Sequence, residues 1–355
     1  MKERLEDRAM DLKTRHAEYR ATHPHAHPRE AAEALGVTEA QLIAARCGDG
    51  VTRLDERWKE LFEALPSLGE VKTMTRNPSA VLERWGAFNR VEIEGPMGQV
   101  VGADIDLRLF LRNFRRAFAV VDPAPNGKLR RSLQLFDAQG VSVHKVYLDD
   151  EARLADFEAL VSQHTSPDQS TEEPADPAPP APKPAAEVDV EAFRAGWDAM
   201  QDTHEFFGLM RKFGLTRTQA LGVAGGERAY PVAASSLEQV LRAVAADEIK
   251  IMIFVGNRGM IQIHSGLVHR IDDRGGWLNV LDPRFNLHVR ADEVAEAWVV
   301  RKPTSDGIVT SLELFDGKGE TVLLMFGYRK PRMEEDARWR GVIASLRRLS
   351  AAESQ

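Results

Sequence analysis

The stretch 132-SLQLFDAQG-140 returns almost unchanged later in the chain, as 311-SLELFDGKG-319. The copies share the serine, both leucines, the phenylalanine, the aspartate and the final glycine. Further segments match in the same order and at similar spacing: 35-LGVTEAQL-42 with 213-FGLTRTQA-220, 106-DLRLFL-111 with 286-NLHVRA-291, and 117-AFAVVDP-123 with 297-AWVVRKP-303. Matches in register over this length indicate an internal duplication, with a period too long for a solenoid.

Both halves of the duplication have the same predicted order of elements. Amphipathic helices come first, at 7–20, 28–35, 38–47 and 54–65, and again at 190–213, 216–223 and 235–246. Short alternating or apolar runs then predict antiparallel strands, in the second half at 250–256, 260–266, 277–282, 295–302, 309–316 and 321–329. A closing helix follows at 151–163 and at 333–348. This grouping predicts an α+β fold in which the meandering sheets form the central core.

A segment without large apolar side chains separates the two halves. Residues 165–187 are rich in Pro, Ala, Ser and acidic residues, so they cannot bury enough surface to offset the entropy lost on ordering. We therefore predict an exposed Pro/Ala-rich linker. The predicted domains are an N-terminal repeat half at 1–164, the linker at 165–188 and a C-terminal repeat half at 189–355.

The amino-acid composition argues against several classes of protein. The 355 residues carry a formal net charge of −7, which disfavours binding to nucleic acid. No apolar run approaches the length of a membrane span, and the charged N-terminus lacks the apolar core of a signal peptide. The single cysteine, Cys47, permits no intrachain disulfide. We predict a cytoplasmic protein with no stable membrane insertion.

Common catalytic motifs are absent from the sequence. It contains no phosphate-binding GxxxxGK[ST] loop, no HExxH zinc motif, no CxxC pair and no GxSxG nucleophile turn. The cluster 23-HPHAH-27 offers three histidines, but its prolines and its position near the terminus favour a solvated turn over a metal site.

A candidate ligand-binding residue is His204, which lies in the stretch 202-DTHEFFGLMRKFGLTRTQA-220. Asp202 and Glu205 have the spacing of a reciprocal helix cap, which would place His204 in the first helical turn. The positive end of the helix dipole favours a neutral imidazole there, the form that binds metals. The apolar residues that follow suit an iron held in a flat aromatic macrocycle. From the residues alone, a structural histidine stays the commoner alternative.

The chain resembles the hemin-degrading factor family, the HemS/ChuS/PhuS-type cytoplasmic haem proteins, over nearly its whole length. The motif around His204 carries the resemblance, together with 253-IFVGNRGMIQIHSG-266, 277-WLNVLDPRFNLH-288 and 295-AEAWVVRKPTSDGIVTSLELFD-316. The resemblance implies one haem (iron protoporphyrin IX) held between the halves, with His204 as the proximal iron ligand. It also implies that Arg108, from the first half, faces the other side of the haem as the catalytic residue.

The same resemblance implies basic partners for the two haem propionates, namely Arg217, Lys302 and Arg329. Arginine–carboxylate contacts are strong and directional, which suits this role. Read without the family, each of these residues is an ordinary solvated charge. The chain departs from many members at Leu324 and Phe326, where they carry Gln and Tyr. We expect a drier pocket wall at these two positions.

The two copies differ at the candidate site residues. His288 stands opposite Arg108, Asp122 opposite Lys302, and Ala26 opposite His204. A chain with two working sites would keep both sets, so we predict one principal haem per chain. His288, with His25 or His27, is a candidate for a weak second haem contact, although a partly buried strand histidine is the simpler interpretation.

Two functions remain open from the sequence. One is haem trafficking in iron acquisition, in which a chaperone receives haem by way of an inner-membrane importer and delivers it to a separate haem oxygenase. The other is oxidative haem degradation, in which Arg108 organises water or oxygen at the iron and the haem carries the chemistry. Both use the same ligand histidine.

Overall fold

The computed structural model describes residues 11–124, 127–177, 188–330, 333–350 and 353. The chain forms two compact units. The first unit comprises the described parts of Met1–Thr75, Trp85–Pro179 and Asn257–Met260. The second comprises those of Arg76–Arg84, Pro180–Gly256 and Ile261–Gln355. The predicted division of the chain at 165–188 stays a prediction.

The first unit contains helices and antiparallel strands. The helices are α1 (Leu12–Thr22), α2 (Pro28–Leu35), α3 (Glu39–Ala44), α4 (Trp58–Ala64) and α5 (Leu154–His164). The strands are β1 (Val51–Leu54), β2 (Glu70–Arg76), β4 (Arg90–Glu94), β5 (Met97–Val101), β6 (Asp106–Phe110), β7 (Arg116–Pro123), β8 (Leu129–Phe136) and β9 (Ser142–Leu148), with β3 (Ala80–Ala87) running across the boundary between the units. Strands pair antiparallel in the orders β1-β7-β8-β9-β2 and β6-β5-β4.

Helices cover both faces of the main sheet in the first unit. Strand β7 has buried residues at four successive positions, Ala117–Val120, so neither of its faces meets solvent there. Phe118 and Val120 pack with α3, whereas Ala117 and Ala119 belong to the cluster that includes α4 and α5. A strand covered on both sides reads as a continuous apolar run rather than an alternating one.

The second unit repeats this plan. Its helices are α6 (Val190–Asp198), α7 (Glu205–Phe213), α8 (Arg217–Ala224), α9 (Ser236–Ala246) and α10 (Ala337–Ala344). Its strands are β10 (Ala229–Val232), β11 (Ile251–Gly256), β12 (Met260–Gly266), β13 (Ile271–Arg274), β14 (Trp277–Asp282), β15 (Phe285–Arg290), β16 (Val294–Thr304), β17 (Gly307–Asp316) and β18 (Thr321–Gly327). The antiparallel orders are β10-β16-β17-β18-β11-β12 and β3-β15-β14-β13.

The main sheet of the second unit also has two covered faces. Val300 of β16 packs with side chains from α6, α7 and α8. Its neighbour Val299 points the other way, into the cluster built with α9 and α10. The face that carries α6–α8 is the one that positions the candidate site.

The opening motif forms the same turn in both units. Asp137 accepts hydrogen bonds through Oδ1 from the backbone N–H groups of Gln139 (3.0 Å) and Val141 (2.9 Å). Asp316 accepts in the same way from Lys318 (2.8 Å) and Glu320 (3.0 Å). The final glycine of each copy has positive φ, which explains why that position is glycine in both.

Two predictions of secondary structure need correction. A single helix over 190–213 is wrong, because α6 ends at Asp198 and α7 begins only at Glu205. The intervening residues use their bonds elsewhere: the carbonyl of Gln201 accepts from Ser305 N–H (2.9 Å), and Asp202 accepts from His204 N–H (2.7 Å). Such local bonds compete with the helical ladder. The predicted helix over 54–65 begins later, at Trp58, because Leu54 belongs to β1. The first predicted helix starts in residues outside the described ranges, and its described part begins at Leu12.

Part of the predicted exposed linker is bound to the first unit. Residues 165–177 are mostly exposed, but Glu173 is buried and forms ion pairs with Arg53 and Arg116. Arg53 also donates to the carbonyl oxygens of Ser170 (2.8 Å) and Glu172 (3.1 Å). A buried carboxylate with two arginine partners holds this stretch against the unit. Residues 178–187 of the linker lie outside the described residues.

We expect Glu173→Gln to release the 166–177 segment. Removing one partner from a buried ion pair costs about 3–5 kcal/mol, because the other charge stays buried without compensation. Proteinase K should therefore cut this segment of the variant many times faster than in the parent chain. Glu172→Gln is the matched control, since it changes an exposed neighbour and leaves the Arg53 contacts to the backbone in place. Equal cleavage of both variants would show that the Glu173 ion pairs do not hold the segment.

Candidate functional site

His204 lies immediately before helix α7, with its side chain in solvent. The side chain is 90% exposed, and its Nδ1 lies 2.5 Å from Oδ1 of Asp202. An ionised carboxylate can only accept a hydrogen bond, so Nδ1 carries a proton, and in the neutral form of the ring Nε2 is then the nitrogen with the free lone pair. A histidine held in this way by a carboxylate has the tautomer and the fixed ring orientation that metal ligation through Nε2 requires.

The prediction that Asp202 and Glu205 form a reciprocal helix cap is wrong, because each carboxylate accepts a hydrogen bond from a different residue. Asp202 accepts from the backbone N–H of His204 at 2.7 Å, and Glu205 accepts from the N–H of Gln201 at 3.1 Å. The helix therefore begins one residue after His204, not before it. The bonds from His204 hold the pKa of the Asp202 carboxyl below its usual value. Asp202 thus orients the imidazole instead of capping the helix by the predicted pattern.

Phe206 connects the His204 turn to a pair of cations. Its ring is buried and packs edge-on against Trp197 of α6, with ring centroids 4.8 Å apart. Lys302 Nζ lies 4.8 Å from the ring centroid and the Arg217 guanidinium lies 5.3 Å from it. Both distances are within the range of cation–π contacts. The structure therefore brings the predicted residues Arg217 and Lys302 together, next to the helix that His204 precedes.

A buried carboxylate that the sequence analysis did not single out joins these two cations. Glu313 of β17 accepts from Arg217 Nε (2.6 Å) and Nη2 (2.8 Å), and from Lys302 Nζ (2.7 Å). The hydroxyl of Ser311 donates to it as well, at 3.0 Å. The two cations hold the pKa of Glu313 far below its usual value in spite of burial. The available signal was the Gln134/Glu313 difference within the otherwise matching opening motifs.

Burial controls the protonation of Lys302. Its side chain is 3% exposed, and desolvation, with a smaller contribution from the charge of Arg217, lowers its pKa to about 8. Glu313 acts in the opposite direction and raises this pKa. At neutral pH the cluster of Arg217, Lys302 and Glu313 therefore has two positive charges and one negative charge.

Arg329 contributes a third cation on the same unit. Its Nη2 lies 3.4 Å from Oδ2 of Asp306, in the turn between β16 and β17, and its side chain is 22% exposed. The charge of Arg329 also contributes to lowering the pKa of Asp202. Arg329 is therefore close enough to the His204 turn to act on its electrostatics.

Leu324 and Phe326, the departures from the family pattern, share a sheet face with this cluster. Leu324 of β18 stands directly opposite Glu313, and Phe326 stands opposite Ser311. Residues directly opposite each other in an antiparallel pair point to the same face. Phe326 packs against Phe254 with ring centroids 5.0 Å apart. The surface beside the cations is thus apolar at both positions.

Arg108 belongs to the first unit. It lies on β6, opposite Gln99 of β5, and its side chain is 36% exposed. Its Nη1 forms an ion pair with Asp106 and donates to the carbonyl of Leu107 at 3.1 Å. Burial raises the pKa of Asp106. The guanidinium therefore pairs with the Asp106 carboxylate and remains accessible to solvent.

The three histidines of the suggested second site differ in their surroundings. His288 of β15 is half-buried, and its Nδ1 lies 2.7 Å from Oδ1 of Asn279. His25 lies in an exposed turn, as the sequence predicted for this cluster, and His27 is exposed at the residue before α2. The second haem contact stays a prediction.

Comparisons with known proteins establish the family. The model of the haemin-degrading HemS/ChuX domain matches twice, at residues 36–164 and 214–346. The chain is 38% identical over 339 residues to the hemin transport protein HmuS of Yersinia pestis, covering 94% of this chain and 97% of that protein. The chain belongs to the haemin-degrading HemS/ChuX domain family, and the prediction of an α+β fold with an internal duplication is confirmed.

Solved structures agree with this assignment over the whole fold. The crystal structure of holo-PhuS, a heme-binding protein from Pseudomonas aeruginosa, has 42% identity and a TM-score of 0.92, covering 95% of this chain and 99% of that one. The heme degrading enzyme ChuS of Escherichia coli O157:H7 has 36% identity and a TM-score of 0.87, covering 94% and 98%. Within the described ranges, no helix is long and apolar enough to cross a membrane.

We expect adjacent phenylalanines of α7 to differ sharply in their effect on stability. Phe206→Leu removes ring contacts to two cations and leaves a void, so it should lower the free energy of unfolding by about 2–3 kcal/mol. Phe207 is 64% exposed, and Phe207→Leu should change that free energy by less than about 0.5 kcal/mol. Urea unfolding followed by tryptophan fluorescence compares the two variants. Similar losses in both would contradict the placement of Phe206 under the cation pair.

Proposed function

We propose that this chain binds one haem through Nε2 of His204. The observation that carries the proposal is the exposed imidazole, held by Asp202 in the metal-binding tautomer two residues before Phe206, whose ring contacts Arg217 and Lys302. When bound, the haem supplies the iron that His204 ligates and any redox chemistry at that iron. The relatives described as heme-binding and hemin transport proteins support haem as the ligand.

The charges on the second unit fit the two carboxylates of haem. Arg217 and Arg329 are 23% and 22% exposed and can offer N–H groups to a propionate. Lys302 is buried, so it contributes its charge to the cluster more than a direct contact. The apolar surface at Leu324 and Phe326 suits the porphyrin edge. Four side chains of the proposal, those of His204, Arg217, Lys302 and Arg329, thus belong to one unit.

Arg108 is proposed as the residue on the distal side of the haem. A guanidinium stays protonated at neutral pH, so it can only donate hydrogen bonds and can stabilise negative charge on a ligand. Its partial exposure leaves N–H groups available in addition to those that contact Asp106 and Leu107.

We propose haem trafficking in the cytoplasm as the main function. The chain would receive haem by way of an inner-membrane importer and pass it to a haem oxygenase. Oxidative haem degradation is the second candidate, favoured by the similarity to the heme degrading enzyme ChuS. The cytoplasmic location and both partners are predictions of the proposal.

We expect His204→Ala to abolish the Soret spectrum of the histidine-ligated complex and to weaken haem binding by at least about tenfold, as loss of a metal ligand should. Titration of the purified chain with hemin measures both. His269→Ala is the matched control, since it removes an exposed histidine from the same unit, and its spectrum and affinity should match the parent chain. An unchanged Soret band in His204→Ala would refute His204 as the ligand.

A second experiment separates trafficking from degradation. With a physiological reductant, oxygen and catalase present, we expect the haem of the parent chain to stay intact and to move to an added haem oxygenase. Catalase removes the peroxide that would otherwise attack haem without enzymatic control. A defined open tetrapyrrole formed by the parent chain and by Arg112→Ala, but not by Arg108→Ala, would instead establish degradation with Arg108 as a catalytic residue. Arg112 is an exposed arginine of the same unit.

A further inference from the structure

Glu313 is a fully buried carboxylate beside a proposed ligand site for carboxylates. Its side chain is 0% exposed and accepts from Arg217, Lys302 and Ser311. A buried anion close to an anionic ligand should weaken binding by repulsion unless it does something that outweighs this effect. The geometry of its two cations indicates what that is.

Arg217 meets Glu313 through one edge of its guanidinium. Nε and Nη2 donate to the two carboxylate oxygens at 2.6 and 2.8 Å, which fixes the plane and the rotamer of the side chain. Glu313 does not use the third nitrogen, Nη1, and the side chain is 23% exposed. The carboxylate therefore fixes the buried edge of Arg217 while leaving another edge for a ligand.

Lys302 keeps the cluster of Arg217, Lys302 and Glu313 positively charged and so attractive to an anion. It is buried against Phe206 and Glu313, and the charged groups facing it are Glu313 from β17 and Arg217 from α8. With Lys302 protonated the cluster has a net charge of +1, from two cations and one anion. The net charge would be zero if Glu313 had Arg217 as its only partner. Lys302 therefore lets Glu313 orient Arg217 without cancelling its attraction for an anion.

We infer that Glu313 is a positioning residue that holds Arg217 ready for a carboxylate of a dicarboxylate porphyrin, with Lys302 as its buried counter-ion. The inference rests on the proposed function and adds to it a residue that does not touch the ligand. The alternative is that Glu313 competes with the ligand for Arg217, in which case removing its charge would strengthen binding.

The expected sign follows from the charges. In Glu313→Gln, Lys302 loses the carboxylate that raises its pKa, while burial and the charge of Arg217 continue to lower it. The cluster then has a net charge of +1 from Arg217 alone if Lys302 loses its proton, and of +2 if Lys302 keeps it. In neither case does the net charge weaken the attraction for an anion. What remains is the loss of the fixed rotamer, which must be restored when the ligand binds.

The first repeat offers a natural contrast at the same three positions. The counterparts of Arg217, Lys302 and Glu313 are Glu39, Asp122 and Gln134. Asp122 pairs with Arg46 at 2.7 Å, and Gln134 donates to Ser132 at 3.1 Å. In the first repeat, carboxylates stand at the positions of both cations. A glutamine stands at the position of Glu313, so the repeat that lacks the cations also lacks this buried carboxylate. Glu313 therefore accompanies the cations, as a positioning residue should.

The test compares two ligands, iron protoporphyrin IX and its dimethyl ester, in which the carboxylates are blocked. Glu313→Gln should bind haem about tenfold more weakly, the effect of losing one charge-assisted contact, and the ester less than about twofold more weakly. The Soret band should keep its position, since His204 is untouched. Asp198→Asn is the matched control, because it breaks an arginine–carboxylate pair with Arg228 on the same unit. It should alter neither affinity.

Tighter haem binding by Glu313→Gln would overturn the inference in favour of competition, and unchanged haem binding would overturn it outright. Arg217→Lys provides a second variant if Glu313→Gln does not fold. It keeps the charge but cannot donate to both carboxylate oxygens and a ligand, so it too should bind haem about tenfold more weakly with little effect on the ester. Full retention of haem affinity would show that charge alone matters. His204→Ala, measured in parallel, tests the proposed function separately, since it changes the Soret spectrum and these variants do not.

Discussion

The arrangement of the second unit depends on the burial of one negative charge. Moving a carboxylate out of water costs several kcal/mol, and this cost is offset only when the partners are close and well oriented. Glu313 has such partners in Arg217, Lys302 and Ser311, which come from α8 and from the strands β16 and β17. The position of helix α8 over the sheet is therefore coupled to the charge state of a single side chain. Phe206 extends this coupling to α7, because its ring packs on the same two cations.

Duplication and divergence explain why one unit has the candidate ligand set. Both copies keep the Asp turn, the covered sheet and the helix that starts at a threonine cap, at Thr38 and at Thr216. These features stabilise the fold and are needed twice. The first helical residue after the threonine cap differs in charge between the copies, being Glu39 in one and Arg217 in the other. His204 and its counterpart Ala26 both lie upstream of the segments matched by the family model. The two copies thus differ at the candidate ligand as well as just after the cap.

Much of the fold was predictable from the sequence, and less of the site. The matching motifs 132–140 and 311–319 predicted the duplication because a turn that needs Asp and Gly at fixed positions leaves a readable pattern. The sequence predicted both a continuous helix over 190–213 and a helix cap at Asp202, and it could not decide between them because the bond that engages Gln201 comes from Ser305, distant in sequence. Glu313 and Glu173 were missed for a related reason. A buried carboxylate looks like a surface one until its arginine partners are placed around it.

The exposure of His204 bears on the choice between trafficking and degradation. Oxidative chemistry on haem benefits from a site that excludes water and limits side reactions. The candidate ligand, at 90% exposure and held by a carboxylate at the start of a helix, is instead easy for a second protein to approach. In the proposed complex, release of haem would require the bond from His204 to break and Arg217 and Arg329 to give up the propionates. In the role inferred for Glu313, Arg217 would keep its rotamer when the ligand leaves. A carrier that need not reorganise on release can exchange its cargo rapidly, and this argues for transport over degradation as the proposed function.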